Sequence, residues 1–288
     1  MGSFASVNGI VTPAAEARVS IFDNGFTFGD SVYETLRTYG GRPFELSRHF
    51  RRLRASAGRL GFEIPLSNEV LAGRLDELLA RAGNAESYIR LIVTRGLGDI
   101  SYNFDRVQGP TVVMAVKPFE GYPDSQYTEG IAVVIVSVRR NSPRALDPAI
   151  KSCNLLNNIL AIREAQAKGA SEAILLNEKS EVAEGSATNV FMVKAGTVVT
   201  PPLDAGILAG ITRDVVLELG PGLGIPMRQD AIRLPELQGA DEVFLTSSTR
   251  ETVPVKTLDG RPVGEGRPGP VFRKLLAAFR DYAPKHCA

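Results

Sequence analysis

Histidine and cysteine are almost missing from this chain. Among its 288 residues there are two of each, His49 and His286, Cys153 and Cys287. A zinc centre would have to be built mostly from carboxylates, because no histidine or cysteine stands at ligand spacing. A Ser-His-Asp hydrolase would have to use His49, which sits in a basic helical run, or His286 in the tail, which argues against that chemistry. Two cysteines cannot make a disulfide framework, and nothing resembles a secretory signal. No apolar run approaches the roughly 20 residues of a membrane span. Charge of one sign is missing too: 33 Lys and Arg stand against 32 Asp and Glu, a net charge of +1. No field points to nucleic acid or an anionic membrane. These absences lead to an expectation of a cytoplasmic protein with no metal, nucleic-acid or membrane partner.

What is present suits a large packed core. Hydrophobic residues make up 44% of the chain and charged residues 23%, ordinary values for a globular protein. The length is most simply divided into two modest domains. Phe4 to Thr12 reads as a hairpin turning at Asn8-Gly9, and Ser31 to Phe44 as two strands around Gly40-Gly41. Ser47 to Gly61 is predicted to be a helix with Ser47 as its N-cap, since Phe50, Leu53, Ala57 and Leu60 recur at helical spacing. Ser67 to Ala82 is predicted to be a second, stopped by Gly83. Strands follow at Ser87 to Thr94 and Thr111 to Lys117. Pro118 to Gly130, rich in Pro, Gly and polar residues, contains the expected linker.

Beyond it, Ile131 to Val138 reads as a buried strand and Asn154 to Lys168 as a helix ended by Gly169. Glu172 to Leu176 and Asn189 to Val193 are further strands, with a turn at Glu178-Lys179-Ser180. Gly210 opens a helix through Leu219. Glu242 to Leu245 runs as a strand into Thr246-Ser247-Ser248-Thr249, and Val271 to Tyr282 is an amphipathic helix. The domains expected are 1–120, a linker at 121–130, and 131–288. No internal repeat or low-complexity tract is evident.

Two stretches carry chemistry. Ala149-Ile150-Lys151-Ser152-Cys153-Asn154 sets one lysine among apolar and small polar residues. An exposed lysine, with a reference pKa of about 10.4, keeps its proton and is a poor nucleophile. Desolvation frees the amine that carbonyl chemistry requires. Downstream, Glu181-Val182-Ala183-Glu184-Gly185-Ser186 sets a carboxylate among small residues that let backbone approach a flat ring. An amine and a dedicated carboxylate are what pyridoxal 5'-phosphate needs: one bonds the aldehyde, the other keeps the pyridine nitrogen protonated.

Five motifs stand in order: Phe28-Gly29-Asp30-Ser31-Val32-Tyr33-Glu34, Arg48-His49-Phe50-Arg51-Arg52-Leu53, the lysine segment, Glu184-Gly185-Ser186, and Gly210-Ile211-Thr212-Arg213. Together they resemble the class IV pyridoxal-phosphate aminotransferases. That group includes branched-chain aminotransferases, D-amino-acid transaminases and aminodeoxychorismate lyase. The resemblance implies an α/β (α+β) fold of type IV, with a smaller N-terminal α/β domain, a larger β-rich C-terminal domain and the cofactor between them. It further implies a homodimer, because the Tyr88–Arg90 strand should serve the neighbouring subunit.

Carried onto matching positions, Lys151 would hold the cofactor and move the proton, and Glu184 would face the pyridine nitrogen. Arg52 would fork onto the phosphate, joined by the helix start at Ile211 and Thr212 and by Ser247 and Ser248. Tyr33, Phe28, Arg37, Tyr88, Arg90 and Tyr102 would line the substrate. Strand alternation puts Tyr88 and Arg90 on one face.

The substrate pattern is mixed. D-transaminases carry an arginine and a histidine where this chain has Ile100 and Tyr102, yet branched-chain enzymes usually have a tyrosine at the position of Leu156. Thr35 offers a hydroxyl of the kind the lyase needs, but Glu34 stands where the lyase has threonine. The expected reaction passes an amino group from an amino acid to a 2-oxo acid such as 2-oxoglutarate. Branched-chain L-amino acids with glutamate come first, D-amino acids second, then (R)-amines and aminodeoxychorismate. A pyridoxal-phosphate-binding protein without turnover is the alternative of another class; the presence of both Lys151 and Glu184 argues against it.

Overall fold

The computed structural model describes residues 1–288, and the chain separates into two compact units. The first comprises Met1–Glu120, Ile150–Asn154 and Ala283–Ala288; the second comprises Gly121–Ala149 and Leu155–Tyr282.

In the first unit, β1 (Phe4–Val7) and β2 (Ile10–Pro13) form the expected hairpin. Asn8 and Gly9 take positive φ at the turn, 51° and 92°, which suits an Asn-Gly pair. A short helix α1 (Asn24–Phe28) is capped by Asp23, whose side chain accepts from the Gly25 N–H at 2.8 Å. Then come β3 (Ser31–Tyr39), β4 (Arg42–Pro43), the helices α2 (Leu46–Arg59) and α3 (Asn68–Ala82), and the strands β5 (Ser87–Thr94) and β6 (Thr111–Pro118). The strands form one six-stranded antiparallel sheet in the order β2-β1-β6-β5-β3-β4.

Alternation assigns the two faces of this sheet. Val32 and Leu36 of β3, Ile89, Leu91 and Val93 of β5, and Val112, Met114 and Val116 of β6 share one core with Phe50, Leu53 and Ala57 of α2 and Leu71, Leu75 and Leu78 of α3. The opposite face carries Tyr33, Thr35, Arg37, Tyr88 and Arg90, all half-buried. The expected start of α2 needs correction. Ser47 lies inside the helix, and the cap position is Glu45, with φ 50° and no side-chain cap bond. The tail decides this, because His286 O accepts the Glu45 N–H at 3.0 Å.

The second unit begins with α4 (Ser125–Thr128) and β7 (Ile131–Ile135), followed by α5 (Leu156–Ala167), β8 (Glu172–Leu176), β9 (Val182–Gly185), β10 (Asn189–Lys194) and β11 (Thr197–Thr200). The rest is α6 (Ile211–Gly222), β12 (Met227–Gln229), α7 (Leu234–Gln238), β13 (Glu242–Ser247), β14 (Glu251–Leu258), β15 (Arg261–Pro262) and α8 (Pro270–Tyr282). Its nine-stranded sheet runs β12-β11-β10-β13-β14-β7-β8-β9, with β15 on β14. A pairing of Asn189 with Glu184 joins β9 back to β10 and closes the inner strands on themselves. Closure leaves those strands no edge and one apolar interior. Ile131 and Val133, Ile174 and Leu176, Val190 and Met192, Val243 and Leu245, and Val253 and Val255 pack there in one cluster.

The lysine segment was expected in the C-terminal domain but packs in the first unit. Tyr33 N–H donates to Lys151 O and Cys153 N–H donates to Ser31 O, both at 2.9 Å, and Val32 bridges Ser152. Residues 151–153 are therefore tied to β3 by a single bridge and its backbone hydrogen bonds.

Candidate active site

The residues expected to carry chemistry fall into two clusters. In the first unit, the backbone of Lys151 is fixed on both sides: its N–H donates to Ser56 Oγ at 3.1 Å, and its carbonyl is held by β3. Its half-buried side chain places Nζ 4.4 Å from the centre of the Tyr33 ring. The Arg90 guanidinium lies 3.5 Å from that ring centre and donates to Thr35 Oγ1 at 3.0 Å, its cross-strand partner. Arg37 sits over the rings of Tyr39 and Phe119 at 4.2 and 4.8 Å, and Lys117 is 5.1 Å from Tyr88. One sheet face thus alternates cations with aromatic rings, an arrangement in which each ring quadrupole attracts a neighbouring cation. Phe28 and Tyr102 stand apart from it, on α1 and on the loop after β5, with ring centres 5.3 Å apart; Tyr102 is 86% exposed.

On the core side of β3, Glu34 is fully buried and receives Arg52 through two parallel bonds, Nε to Oε1 at 2.8 Å and Nη2 to Oε2 at 2.7 Å. His49 Nδ1 meets Glu34 Oε2 at 2.7 Å. Burial by itself would raise the Glu34 carboxyl, but Arg52 and His49 outweigh it and bring it down to about 2. Burial pushes His49 below its usual value; Glu34 opposes this, while the charges of Arg52 and Lys151 add to it. A neutral His49 beside an ionised carboxylate must carry its proton on Nδ1. The buried Nε2 is then an acceptor, and it has no partner. Arg52, expected to serve the phosphate, is therefore also committed to Glu34.

In the second unit, Glu184 lies on β9 and is 5% exposed. Arg140 Nε donates to its Oε1 at 2.8 Å, and the Leu208 N–H and Asn189 Nδ2 donate to its Oε2 at 3.0 and 3.3 Å. The neighbouring Arg213 is almost wholly buried; burial lowers its guanidinium pKa, an effect opposed by Asp214 and Glu184. Helix α6 starts at Ile211 with Gly210 as its cap residue. A Cβ at Gly210 would come within 1.9 Å of Asn189 Oδ1, so only glycine lets this turn pass the amide that also holds Glu184. Thr212 Oγ1 is buried at the helix start without a partner. Ser247 Oγ accepts the Arg250 N–H at 3.2 Å in the β13–β14 turn, where Ser248 is half-buried.

The comparisons with known proteins agree with these motifs. The family model for amino-transferase class IV matches residues 31–258. The chain belongs to the class IV aminotransferases. This aminotransferase is 39% identical over 279 residues to a protein assigned as a branched-chain-amino-acid aminotransferase in Methanocaldococcus jannaschii, covering 97% of this chain and 96% of that one. It is 35% identical to the D-alanine aminotransferase of Bacillus licheniformis, covering 95% of both. A solved structure of the T.th. branched-chain amino acid aminotransferase, complexed with N-(5'-phosphopyridoxyl)-L-glutamate, superposes with a TM-score of 0.92 at 32% identity, covering 98% of this chain and 94% of that one.

The aminotransferase is thus a pyridoxal-phosphate-dependent transferase of fold type IV. Its residues fit that group. The free N–H groups at the start of α6 and the orphaned Thr212 hydroxyl are donors suited to a phosphate, and Glu184 is a buried carboxylate. No helix is long and apolar enough to cross a membrane. The motifs did not single out Arg140, Asn189, the Leu208 N–H or Ser56. A buried carboxylate implies charged or amide partners, yet nothing local says which arginine among many it meets.

Proposed function

We propose that the aminotransferase exchanges amino groups between branched-chain L-amino acids or glutamate and 2-oxo acids such as 2-oxoglutarate. The observation that carries the substrate choice is the open face of β3 and β5, where Arg90 stacks 3.5 Å from the Tyr33 ring and is held by Thr35. A guanidinium beside an aromatic surface suits both substrates, with the cation for a second carboxylate and the ring for an aliphatic side chain. Phe28, Arg37, Tyr88 and Tyr102 complete the substrate contacts in this reading.

Pyridoxal phosphate, when bound, supplies the electron sink for the pair released from the substrate Cα–H bond. Lys151 holds the cofactor through Nζ. With the cofactor bound, Nζ would take the substrate Cα proton as a base and would return it as an acid to the cofactor's former aldehyde carbon, on the far side of the amine nitrogen. The Ser56 and Tyr33 hydrogen bonds fix the lysine backbone, so only its side chain need move. Glu184 keeps a proton on the ring nitrogen. Arg52, the α6 start at Ile211 and Thr212, and Ser247 and Ser248 hold the phosphate. In the second half the same groups act in reverse on a 2-oxo acid.

We further propose that the enzyme works as a homodimer in the cytoplasm. Support for association comes from apolar residues of the first unit left in solvent: Ile21, Phe26, Ile100 and Phe104 are 61–73% exposed. They come from two short stretches of the first unit, 21–26 and 100–104, and an apolar patch formed by such side chains would suit a protein contact. Sedimentation equilibrium should give twice the chain mass, and Phe26→Asp should shift it toward monomer.

A second reading, D-amino-acid transamination, is favoured by Leu156, where branched-chain relatives usually have tyrosine, and by the kinship with D-alanine aminotransferase. A panel of L- and D-amino acids with 2-oxoglutarate separates the two. Preferred turnover of L-valine, L-leucine or L-isoleucine is expected. Turnover confined to D-alanine would reverse the assignment.

A further inference from the structure

Arg140 lies in irregular chain after β7, outside the five motifs read from the sequence. Its surroundings in the second unit are nevertheless tightly specified. The backbone is tied to β8, because the Arg140 N–H donates to Leu176 O at 2.9 Å. The side chain is 9% exposed and Glu184 7%, so the pair is withdrawn from water together. Arg140 Nε donates to Glu184 Oε1 at 2.8 Å, while Nη1 donates to Asn157 Oδ1 at 2.9 Å. Asn157 is itself held, since its Nδ2 donates to Arg139 O at 2.8 Å. The guanidinium is thus aimed from behind by the first turn of α5 and presses on one oxygen of the carboxylate.

We propose that Arg140 is a positioning residue for Glu184, fixing both its orientation and its charge and so setting how firmly the proton rests on the cofactor's ring nitrogen. This rests on the reading that Glu184 faces that nitrogen. The physical reason is a contest for one proton. A buried carboxylate without a cation is costly and tends to take up a proton itself. A protonated Glu184 beside a neutral pyridine and an ionised Glu184 beside a pyridinium contain the same number of protons, but only the second leaves the ring a strong electron sink. Arg140, 2.8 Å from Oε1, selects the second by stabilising the negative carboxylate. It also prevents Glu184 from rotating, because the Leu208 N–H and Asn189 hold the other oxygen.

The test uses the full-length enzyme with Arg140→Met, Arg140→Lys, Glu184→Gln and the double variant Arg140→Met/Glu184→Gln. Four quantities are read: kcat and KM for the amino donor, the dissociation constant of pyridoxal phosphate, the pH titration of the bound cofactor's absorbance, and the Tm of the cofactor-free protein. Arg140→Met is expected to lower kcat about 10- to 100-fold with KM changed less than about 3-fold, and to weaken cofactor binding about 10-fold. The absorbance titration should move from that of the parent, and Arg140→Lys, which keeps the charge without the fork, should recover part of each loss. The double variant should match Glu184→Gln alone in kcat and melt higher without cofactor than Arg140→Met, because no buried carboxylate deprived of Arg140 is left behind.

If Arg140→Met has the parent's titration and kcat while Glu184→Gln alters both, Arg140 plays no part in tuning and the proposal is overturned. It is equally overturned if the losses in the double variant multiply. If Glu184→Gln itself leaves the titration unchanged, the reading of Glu184 fails first. Should Arg140→Met not fold, Asn157→Ala removes the hold on Nη1 and keeps the charge. It is expected to shift the titration in the same direction by less, and an unshifted titration there overturns the proposal.

Discussion

Each unit buries a glutamate against an arginine, and the two pairs are built for different ends. Glu34 is enclosed by cationic and imidazole side chains from one helix: Arg52 takes both oxygens and His49 adds a third bond. Glu184 takes a guanidinium bond from Arg140 on one oxygen, and a backbone N–H and a side-chain amide on the other. The first pair is neutralised by its own unit and acts as a strut between β3 and α2. The second sets one guanidinium on one oxygen of the carboxylate and neutral donors on the other, and its partners come from separate segments of the unit rather than from one helix. Side chains of the same kind at similar burial therefore differ in what they do because their partners differ.

The largest effect that could break this contrast is at the lysine. Lys151→Ala is expected to lose transamination by roughly 10⁴-fold or more, and borohydride treatment should then label no peptide spanning residue 151. A variant that kept full activity would remove Lys151 from the chemistry. Next comes Glu184→Gln, which should retain cofactor while kcat falls roughly 10²- to 10³-fold. Near-parent rates would place Glu184 with the structural struts.

Third is the acid limb of stability. With its folded value near 2 against an ordinary 4.5, Glu34 contributes about 3 kcal/mol that is present above pH 4.5 and lost as pH falls toward 2. His49 works in the same direction. It stays neutral in the fold below its usual 6.5, so the unfolded chain gains a proton first as the solution is acidified. Urea titrations from pH 7 to pH 3 should show parent stability falling steadily. Glu34→Gln, less stable at pH 7 because Arg52 loses its partner, should fall less steeply. An equal slope in both would deny Glu34 its role.

The smallest effect sharpens the ligand side. Thr212→Val removes a buried hydroxyl that has no partner within the chain. It should weaken binding of pyridoxal phosphate about 3- to 10-fold while the Tm of the cofactor-free protein stays level or rises. A fall in that Tm without a change in binding would assign the hydroxyl to the fold.

Much of the local structure was legible in the chain. Asn8-Gly9 turned where expected, Gly83 ended α3 with φ 59°, and alternation put Tyr88 and Arg90 on one face of β5. These are properties of a few adjacent residues, set by steric rules and strand periodicity. Elsewhere longer-range contacts decided the outcome. Ser47 has the residue type of a helix cap, but the tail takes the N–H of Glu45 and moves the start of α2. The strands β11 and β14 and the short helix α7 went unread, because residues such as Val199, Val253, Val255 and Leu237 join a shared apolar core and leave little amphipathic period to detect; β12, three residues long and mostly exposed, is too short to show one.

The sequence by itself determined the family and the cofactor class, because those depend on residue types in a fixed order. The tertiary structure alone decided which charges meet. Glu34 joins His49 across 15 positions and Arg140 joins Glu184 across 44. Such pairs depend on how strands and helices stack, and burial then gives them far more weight than the same charges would have in water.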